Sequence, residues 1–122
     1  MVITKQDEEF IKHVLLPWSG VRTVYLKWSN SKKVYPDIWV KLGRIPVITV
    51  TGEWAKQGVH ERRKRLVHEL IGHLAFGWEH NDFMDKVGFS TYPNKDIVSW
   101  RIYKDILRGR IKSPDAYIEK DI

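Results

Sequence analysis

The chain contains no cysteine among its 122 residues, which excludes a disulfide framework and a cysteine-based zinc ribbon. It also lacks any apolar run close to the ~20 residues that a membrane-spanning helix needs. The first residues, Met1–Glu9, do not have the basic-then-apolar layout of a secretory signal peptide, so we expect a cytoplasmic protein without a membrane segment. No internal repeat is present, and the length predicts one domain spanning residues 1–122.

Acidic residues are outnumbered, because 21 Lys and Arg stand against 15 Asp and Glu and give a formal net charge of +6. The densest basic run is Arg62–Arg65. We interpret this run as the solvated face of a helix, partly offset by Glu61 and Glu69 on either side. The alternatives are a contact with nucleic-acid phosphates and the electrostatic steering of a substrate.

The spacing of apolar residues predicts an α+β domain with an N-terminal helix, about three strands, an active-site helix and a C-terminal helix. The predicted strands are Val21–Trp28, Lys33–Leu42 and Ile45–Thr51. The predicted helices are Asp7–Leu16, which Pro17 ends, then Val59–Phe76, and last a helix that follows a cap at Asn94 or Asp96 and stops near Gly109. Pro36 indicates an edge strand or an irregular start for the second strand, because proline cannot donate to a strand ladder.

The segment His68–His73, with the sequence H-E-L-I-G-H, is the most informative part of the chain. Two imidazoles beside a carboxylate are the groups that a zinc hydrolase needs. In an α-helix, however, side chains five residues apart lie about 140° apart around the axis, too far for both rings to bind one ion. A π-bulge brings residues five apart onto one face, and Gly72 lowers the steric cost of the distortion. The spacing therefore predicts a π-bulge between His68 and His73.

A third ligand is expected shortly after His73. Gly77 tolerates the backbone conformation that ends helices, so the chain can reverse there and bring a later side chain back toward the metal. His80 suits zinc best, and the carboxylate alternatives are Glu79, Asp82 and Asp85. The two remaining histidines, His13 and His60, are expected to be ordinary surface residues.

These residues resemble two families of zinc peptidase. H-E-L-I-G-H is similar to the H-E-L-L-G-H motif of the dipeptidyl-peptidase III family, which has the same one-residue expansion. From Leu66 to Pro93 the chain also resembles the metzincin signature H-E-x-x-H-x-x-G-x-x-H, stretched by one residue in each of its first two intervals. In that comparison Gly77 matches the turning glycine and His80 matches the third ligand. The resemblance implies a small zincin-like fold and a zinc metallopeptidase activity.

Two further roles follow from the metzincin resemblance. Tyr92 and Pro93 resemble the end of the metzincin Met-turn, although Thr91 stands where the methionine would be. Tyr92 then donates a hydrogen bond to the oxyanion of a tetrahedral intermediate, or else packs beneath the metal. The resemblance also implies that Ile48–Thr51 is the edge strand that pairs with an extended substrate, with an ordinary paired strand as the alternative.

The predicted reaction is zinc-assisted hydrolysis of a peptide bond in a peptide or an unfolded protein. His68, His73 and His80 hold Zn²⁺, and Glu69 takes the proton of the water that the ion activates and passes it to the leaving amine. Asp96 is a candidate to orient a ligand histidine, and a helix cap is the alternative for it.

A different class of function also uses these ligands. In a nucleic-acid- or protein-binding module with a structural zinc, Glu79 or Asp82 would close the site as the fourth ligand. Glu69 would then have no catalytic part.

Overall fold

Helices and a three-stranded sheet form the described part of the chain, which confirms the predicted α+β class. The computed structural model describes residues 4–19, 22–32, 37–75 and 96–110. The α-helices are α1 (Lys5–Phe10), α2 (Leu16–Ser19), α3 (Gly52–Ala55), α4 (Val59–Val67) and α5 (Ile97–Leu107). The π-helical segments Ile11–Leu15 and His68–Ala75 follow α1 and α4 directly. The strands are β1 (Tyr25–Ser29), β2 (Ile38–Lys41) and β3 (Val47–Thr51). No helix within these ranges is both long and apolar enough to cross a bilayer.

The central strand of the sheet is β3, so its predicted role as a substrate-pairing edge (Ile48–Thr51) is wrong. The strand order is β1-β3-β2, with β1 parallel and β2 antiparallel to β3. Both backbone edges of β3 are therefore hydrogen-bonded within the sheet. A strand that precedes a helix in sequence can lie anywhere in a sheet. Here β3 is central because β1 pairs with the edge of β3 that β2 leaves open. In the described part of the chain β2 lies at an edge, as Pro36 predicts, although residues 33–36 lie outside the described ranges.

The N-terminal helix continues past Pro17, contrary to the prediction that it ends there. The hydroxyl of Thr4 accepts a hydrogen bond from the backbone N–H of Asp7 at 3.1 Å and caps α1. In the π-helical segment that follows, the N–H of Leu16 donates to the carbonyl oxygen of Ile11, five residues back. Because this shifts the hydrogen-bond register just ahead of Pro17, the proline falls in the first turn of α2, where a missing N–H costs least.

The last helix begins and ends as predicted. The side chain of Asp96 accepts a hydrogen bond from the backbone N–H of Ser99 at 3.1 Å and caps α5. At the other end, Gly109 has a φ of +68°, a conformation that glycine adopts without a steric cost. The N–H of Arg110 then donates to the carbonyl of Asp105 at 2.9 Å and closes the helix end.

The core lies where the sheet, the helix that carries residues 59–75 and α5 meet. Apolar side chains with little or no exposed surface come from all three elements: Ile48 and Val50, then Leu66, Val67, Leu70 and Ile71, then Val98, Ile102 and Tyr103. Trp54 of α3 is also fully buried, and its indole N–H donates to the carbonyl of Arg62 at 3.3 Å. This packing fixes residues 66–73 against the sheet on one side and α5 on the other.

The guanidinium groups of the basic run contact carboxylates inside the molecule, so its interpretation as a solvated face is wrong. Asp7 binds the Nε atom of Arg62 at 3.2 Å and lies 3.8 Å from that of Arg63. Asp37 binds Nη1 of Arg65 at 2.5 Å. Both carboxylates are 1% exposed and lie 55 and 28 residues away in sequence from Arg62 and Arg65, respectively. The run thus holds the N-terminal helix and the start of β2 against α4.

Lys64, in the same run, is buried as well. Its side chain is 1% exposed, and its Nζ lies 2.8 Å from a carboxylate oxygen of Glu61. The same ammonium lies 4.9 Å from the ring centroid of Trp100 on α5, within the range of a cation–π contact. The alkyl stem and the charge of Lys64 therefore help to join α4 to α5.

Asp7→Asn is expected to destabilise the protein by about 1–3 kcal/mol, because the Arg62 and Arg63 guanidinium groups lose a buried anionic partner. The change is read from the midpoint of urea unfolding. Glu9→Gln, at an exposed acidic residue of the same helix, is the matched control and should leave the midpoint unchanged. Equal midpoints for the two variants would show that the Asp7 ion pairs contribute nothing to stability.

Candidate metal centre

The second π-helical segment brings together the three side chains of the predicted motif. α4 runs into the segment at His68, and the predicted π-bulge between His68 and His73 is confirmed. The two imidazole rings meet edge to face, with centroids 5.1 Å apart and planes at 72°. Side-chain ligand atoms of His68, Glu69 and His73 all lie within 4.8 Å of one another. An uninterrupted α-helix could not produce this arrangement from a five-residue spacing.

The three side chains are polar but buried. His68, Glu69 and His73 are exposed by only 6%, 5% and 6%, and Oε2 of Glu69 lies 3.6 Å from Nε2 of His73. Burying two imidazoles and a carboxylate is costly unless they bond to one another or to an ion. Two nitrogen donors and one oxygen donor at these distances are a donor set that suits Zn²⁺.

The helix cap predicted for Asp96 is confirmed, and the same carboxylate contacts His68, one of the predicted ligand histidines. One carboxylate oxygen, Oδ1, accepts the capping bond from Ser99, while the other, Oδ2, lies 2.7 Å from Nδ1 of His68. Because the carboxylate can only accept, Nδ1 of His68 carries the proton and donates it. In the neutral ring the opposite nitrogen, Nε2, is then the one whose lone pair can bind a metal.

Burial raises the pKa of Glu69 from its ordinary value of 4.5 to about 7. The nearby charges of Asp37 and Asp96 act in the same direction, whereas His68 and Arg65 oppose it. For His68, burial lowers the pKa, but the hydrogen bond to Asp96 and the charges of Glu69 and Asp96 outweigh it, so the pKa is raised overall. In the metal-free protein a proton is therefore held in this site near neutral pH.

The stability of the metal-free protein is expected to fall as the pH rises from about 5 to about 8. Between pH 4.5 and about pH 7, Glu69 has lost its proton in the unfolded chain but keeps it in the folded protein. A rise in pH within this range therefore favours unfolding. The raised pKa of His68 acts in the same direction, because its stabilising charge is lost as the pH rises through the folded value. For Glu69 alone the rise in pKa corresponds to a change of about 3 kcal/mol in the free energy of unfolding.

Urea unfolding in the presence of a chelator, at several pH values in this range, measures the effect. Glu69→Gln is the comparison, because an amide does not titrate but occupies the same volume. The difference in unfolding free energy between the two proteins should change with pH by about 3 kcal/mol in the direction given. Parallel pH profiles would show that Glu69 has an ordinary pKa.

Sequence reasoning missed one pair of charges beside the site. Asp37 is buried at the start of β2, binds Arg65 and accepts a further hydrogen bond from the side-chain amide of Gln57. Burial raises the pKa of Asp37, while Arg65 and Gln57 oppose the shift. The charge of Asp37 also acts on Glu69. No local signal in the sequence could have found this pair, because 28 residues separate its members.

Several predicted site residues lie outside the described ranges. They are the third ligand His80, its alternatives Glu79, Asp82 and Asp85, and the candidate catalytic residue Tyr92. Their parts in the site therefore stay predictions. His13 and His60 are exposed, as predicted, and Nδ1 of His60 is hydrogen-bonded to the hydroxyl of Tyr103 at 2.7 Å.

Comparisons with other proteins assign no family to the chain. The resemblance to zinc peptidases therefore rests on the motif residues between 66 and 93, and the chemistry of the site rests on the side chains of His68, Glu69, His73 and Asp96. No protein-family model matches this sequence, and neither curated proteins nor solved structures give a match.

Proposed function

We propose that this protein is a zinc-dependent metallopeptidase whose metal is bound at the second π-helical segment. The observation that carries the proposal is the convergence of His68, Glu69 and His73, with ligand atoms within 4.8 Å of one another and with Asp96 bonded to Nδ1 of His68. A histidine pair, an adjacent carboxylate and a carboxylate that orients one histidine form the usual composition of a catalytic zinc site.

The residues fit zinc by the chemistry of their donor atoms. His68 and His73 supply imidazole nitrogens, and we assign the third position to His80, as the sequence predicts. Zinc bound there would lower the pKa of a water molecule toward neutrality and polarise the substrate carbonyl. Three protein ligands, rather than four, leave a position for that chemistry.

Glu69 is assigned the proton transfer. Its carboxylate accepts a proton from the attacking water and returns it to the nitrogen of the leaving amine. Tyr92 is proposed to donate to the oxyanion, and the proposed substrate is a peptide or an unfolded protein in the cytoplasm.

A structural zinc site is the second candidate, and the burial of the three side chains favours it. Exposures of 5–6% suit a closed site in which all coordination positions are filled by protein. Glu79 or Asp82 would then complete the site, and the domain would bind nucleic acid or protein without catalysis. The guanidinium groups of Arg62, Arg63 and Arg65 contact internal carboxylates, so the basic run gives this candidate no support.

The first experiment is to measure zinc per chain in protein purified without added metal. We expect one zinc in the wild type and none in His68→Ala/His73→Ala. The matched control is His13→Ala/His60→Ala, which removes two exposed histidines and should keep the metal. Circular dichroism of each protein verifies that it is folded. A folded wild type that takes up no zinc, even when the ion is offered, would disprove both zinc candidates.

A further inference from the structure

A small cavity lies between the N-terminal helix and β1. It has a volume of about 220 Å³, and its lining residues are Ile11, Lys12 and Leu16 from the helix and Arg22, Thr23, Val24 and Leu26 from the chain entering β1 and the strand itself. None of these residues belongs to the candidate metal centre. The cavity is therefore a separate feature of the fold.

The first π-helical segment shapes the wall of this cavity. Ile11 and Leu16 are five residues apart, and in an α-helix they would lie about 140° apart around the axis. The hydrogen bond from the Leu16 N–H to the Ile11 carbonyl closes a π turn and brings the two side chains to the same side, where both line the cavity. The same spacing and the same turn bring His68 and His73 together at the metal centre. π-bulges occur frequently at functional sites.

The cavity lining is mostly apolar and carries two basic side chains. Ile11, Leu16, Val24 and Leu26 offer hydrocarbon surface, whereas Lys12 and Arg22 are exposed basic residues, and none of the described residues that line the cavity is acidic. Within the described ranges neither Lys12 nor Arg22 has an ion-pair partner. The guanidinium groups of the basic run, by contrast, all contact carboxylates. A guanidinium and an ammonium that line the same cavity are well suited to bind a carboxylate, because the guanidinium can donate two parallel hydrogen bonds.

We propose that this cavity binds a small monocarboxylate with a short hydrocarbon body, such as a medium-chain fatty acid. The carboxylate contacts Arg22 and Lys12, and the alkyl chain lies against Ile11, Leu16 and Leu26. The volume is below the range of about 300–1,000 Å³ found for drug-sized ligands, which restricts the alkyl chain to a short one. This proposal does not depend on the metal centre or on peptidase activity.

The test is a titration of the full chain with octanoate, followed through the backbone amide signals in nitrogen–proton correlation spectra. Octanamide, which has the same chain without the charge, is the second ligand. We expect saturable shifts that centre on residues 11–16 and 22–26, with octanoate bound about tenfold more tightly than octanamide. That ratio corresponds to about 1.4 kcal/mol. Shifts that do not saturate, shifts that centre elsewhere, or equal affinity for the two ligands would overturn the proposal.

Three variants locate the binding. Lys12→Gln/Arg22→Gln removes the cations and should weaken octanoate binding about tenfold while leaving octanamide binding unchanged. Lys41→Gln/Arg44→Gln removes one lysine and one arginine that are exposed but do not line the cavity, and it should bind octanoate like the wild type. Val24→Phe fills the cavity and should weaken both ligands. Equal octanoate affinity in the two charge variants would contradict the proposed carboxylate contacts.

Discussion

Glu69→Gln is expected to keep one zinc per chain and to lower kcat/KM for peptide hydrolysis by about 10²–10⁴-fold. The amide has the shape of the carboxylate but cannot accept a proton from water. If Glu69 acts on the proton and does not bind the metal, the imidazoles of His68 and His73 keep their ligand atoms unchanged. Zinc content by metal analysis and hydrolysis of a fluorogenic peptide, measured on the same preparation, test both halves of the prediction.

The two measurements, zinc content and peptide hydrolysis, also distinguish the candidate functions. One carboxylate oxygen of Glu69 lies within 4.8 Å of a ring nitrogen of each histidine, so a direct metal bond from Glu69 is the competing geometry. A variant that loses both zinc and activity would indicate that Glu69 is a ligand. A variant that keeps zinc, beside a wild type that hydrolyses no peptide, would favour the structural zinc site. Equal hydrolysis by wild type and variant would remove Glu69 from the mechanism.

Asp96→Asn is expected to weaken zinc binding about 10–100-fold while keeping the cap of α5. Asparagine caps helices as well as aspartate does, so the bond to the Ser99 N–H can persist. The amide cannot provide the charge that the carboxylate places 2.7 Å from Nδ1 of His68. The orientation and the basicity of the ligand ring then both decline.

Asp96→Ala is the companion variant, and it should lose the cap as well. We expect the same weakening of zinc binding together with a loss of about 1 kcal/mol in unfolding free energy from the uncapped α5. Competition with a coloured chelator gives the zinc affinity, and urea unfolding without metal gives the stability. Zinc affinity in Asp96→Asn equal to that of the wild type would show that the carboxylate serves only as a helix cap.

The convergence of His68 and His73 could be predicted from sequence because a chemical requirement fixes its local geometry. Two imidazoles that bind one ion must share a face, and a five-residue spacing meets that requirement only through a π turn. Ile11 and Leu16 show the same turn without any such signal, because apolar residues tolerate many spacings. The first π-helical segment and the cavity beside it therefore could not be predicted.

Apart from the end of the N-terminal helix at Pro17, where a local shift of hydrogen-bond register decides the outcome, the predictions that fail concern contacts between distant parts of the chain. The partners of Arg62 and Arg65 are Asp7 and Asp37, which no local pattern connects to the basic run. The central position of β3 likewise depends on its pairing with β1, which is distant in sequence. Asp96 is also distant from His68 in sequence. The local pattern predicts it as a helix cap, but its bond to His68 depends on the fold.

The strand order has a consequence for how the molecule assembles and opens. The connection between β2 and β3 spans only residues 42–46, so these strands can pair early as a hairpin. Tyr25 of β1 lies opposite Val47 of β3, with all of β2 between them in the chain, and their pairing closes a longer loop. We expect β1 to join the sheet last and to detach first, so its amide hydrogens should exchange with solvent faster than those shared by β2 and β3. A partly opened molecule would then lose β1 while the helix bearing His68 and His73 stays packed on the hairpin.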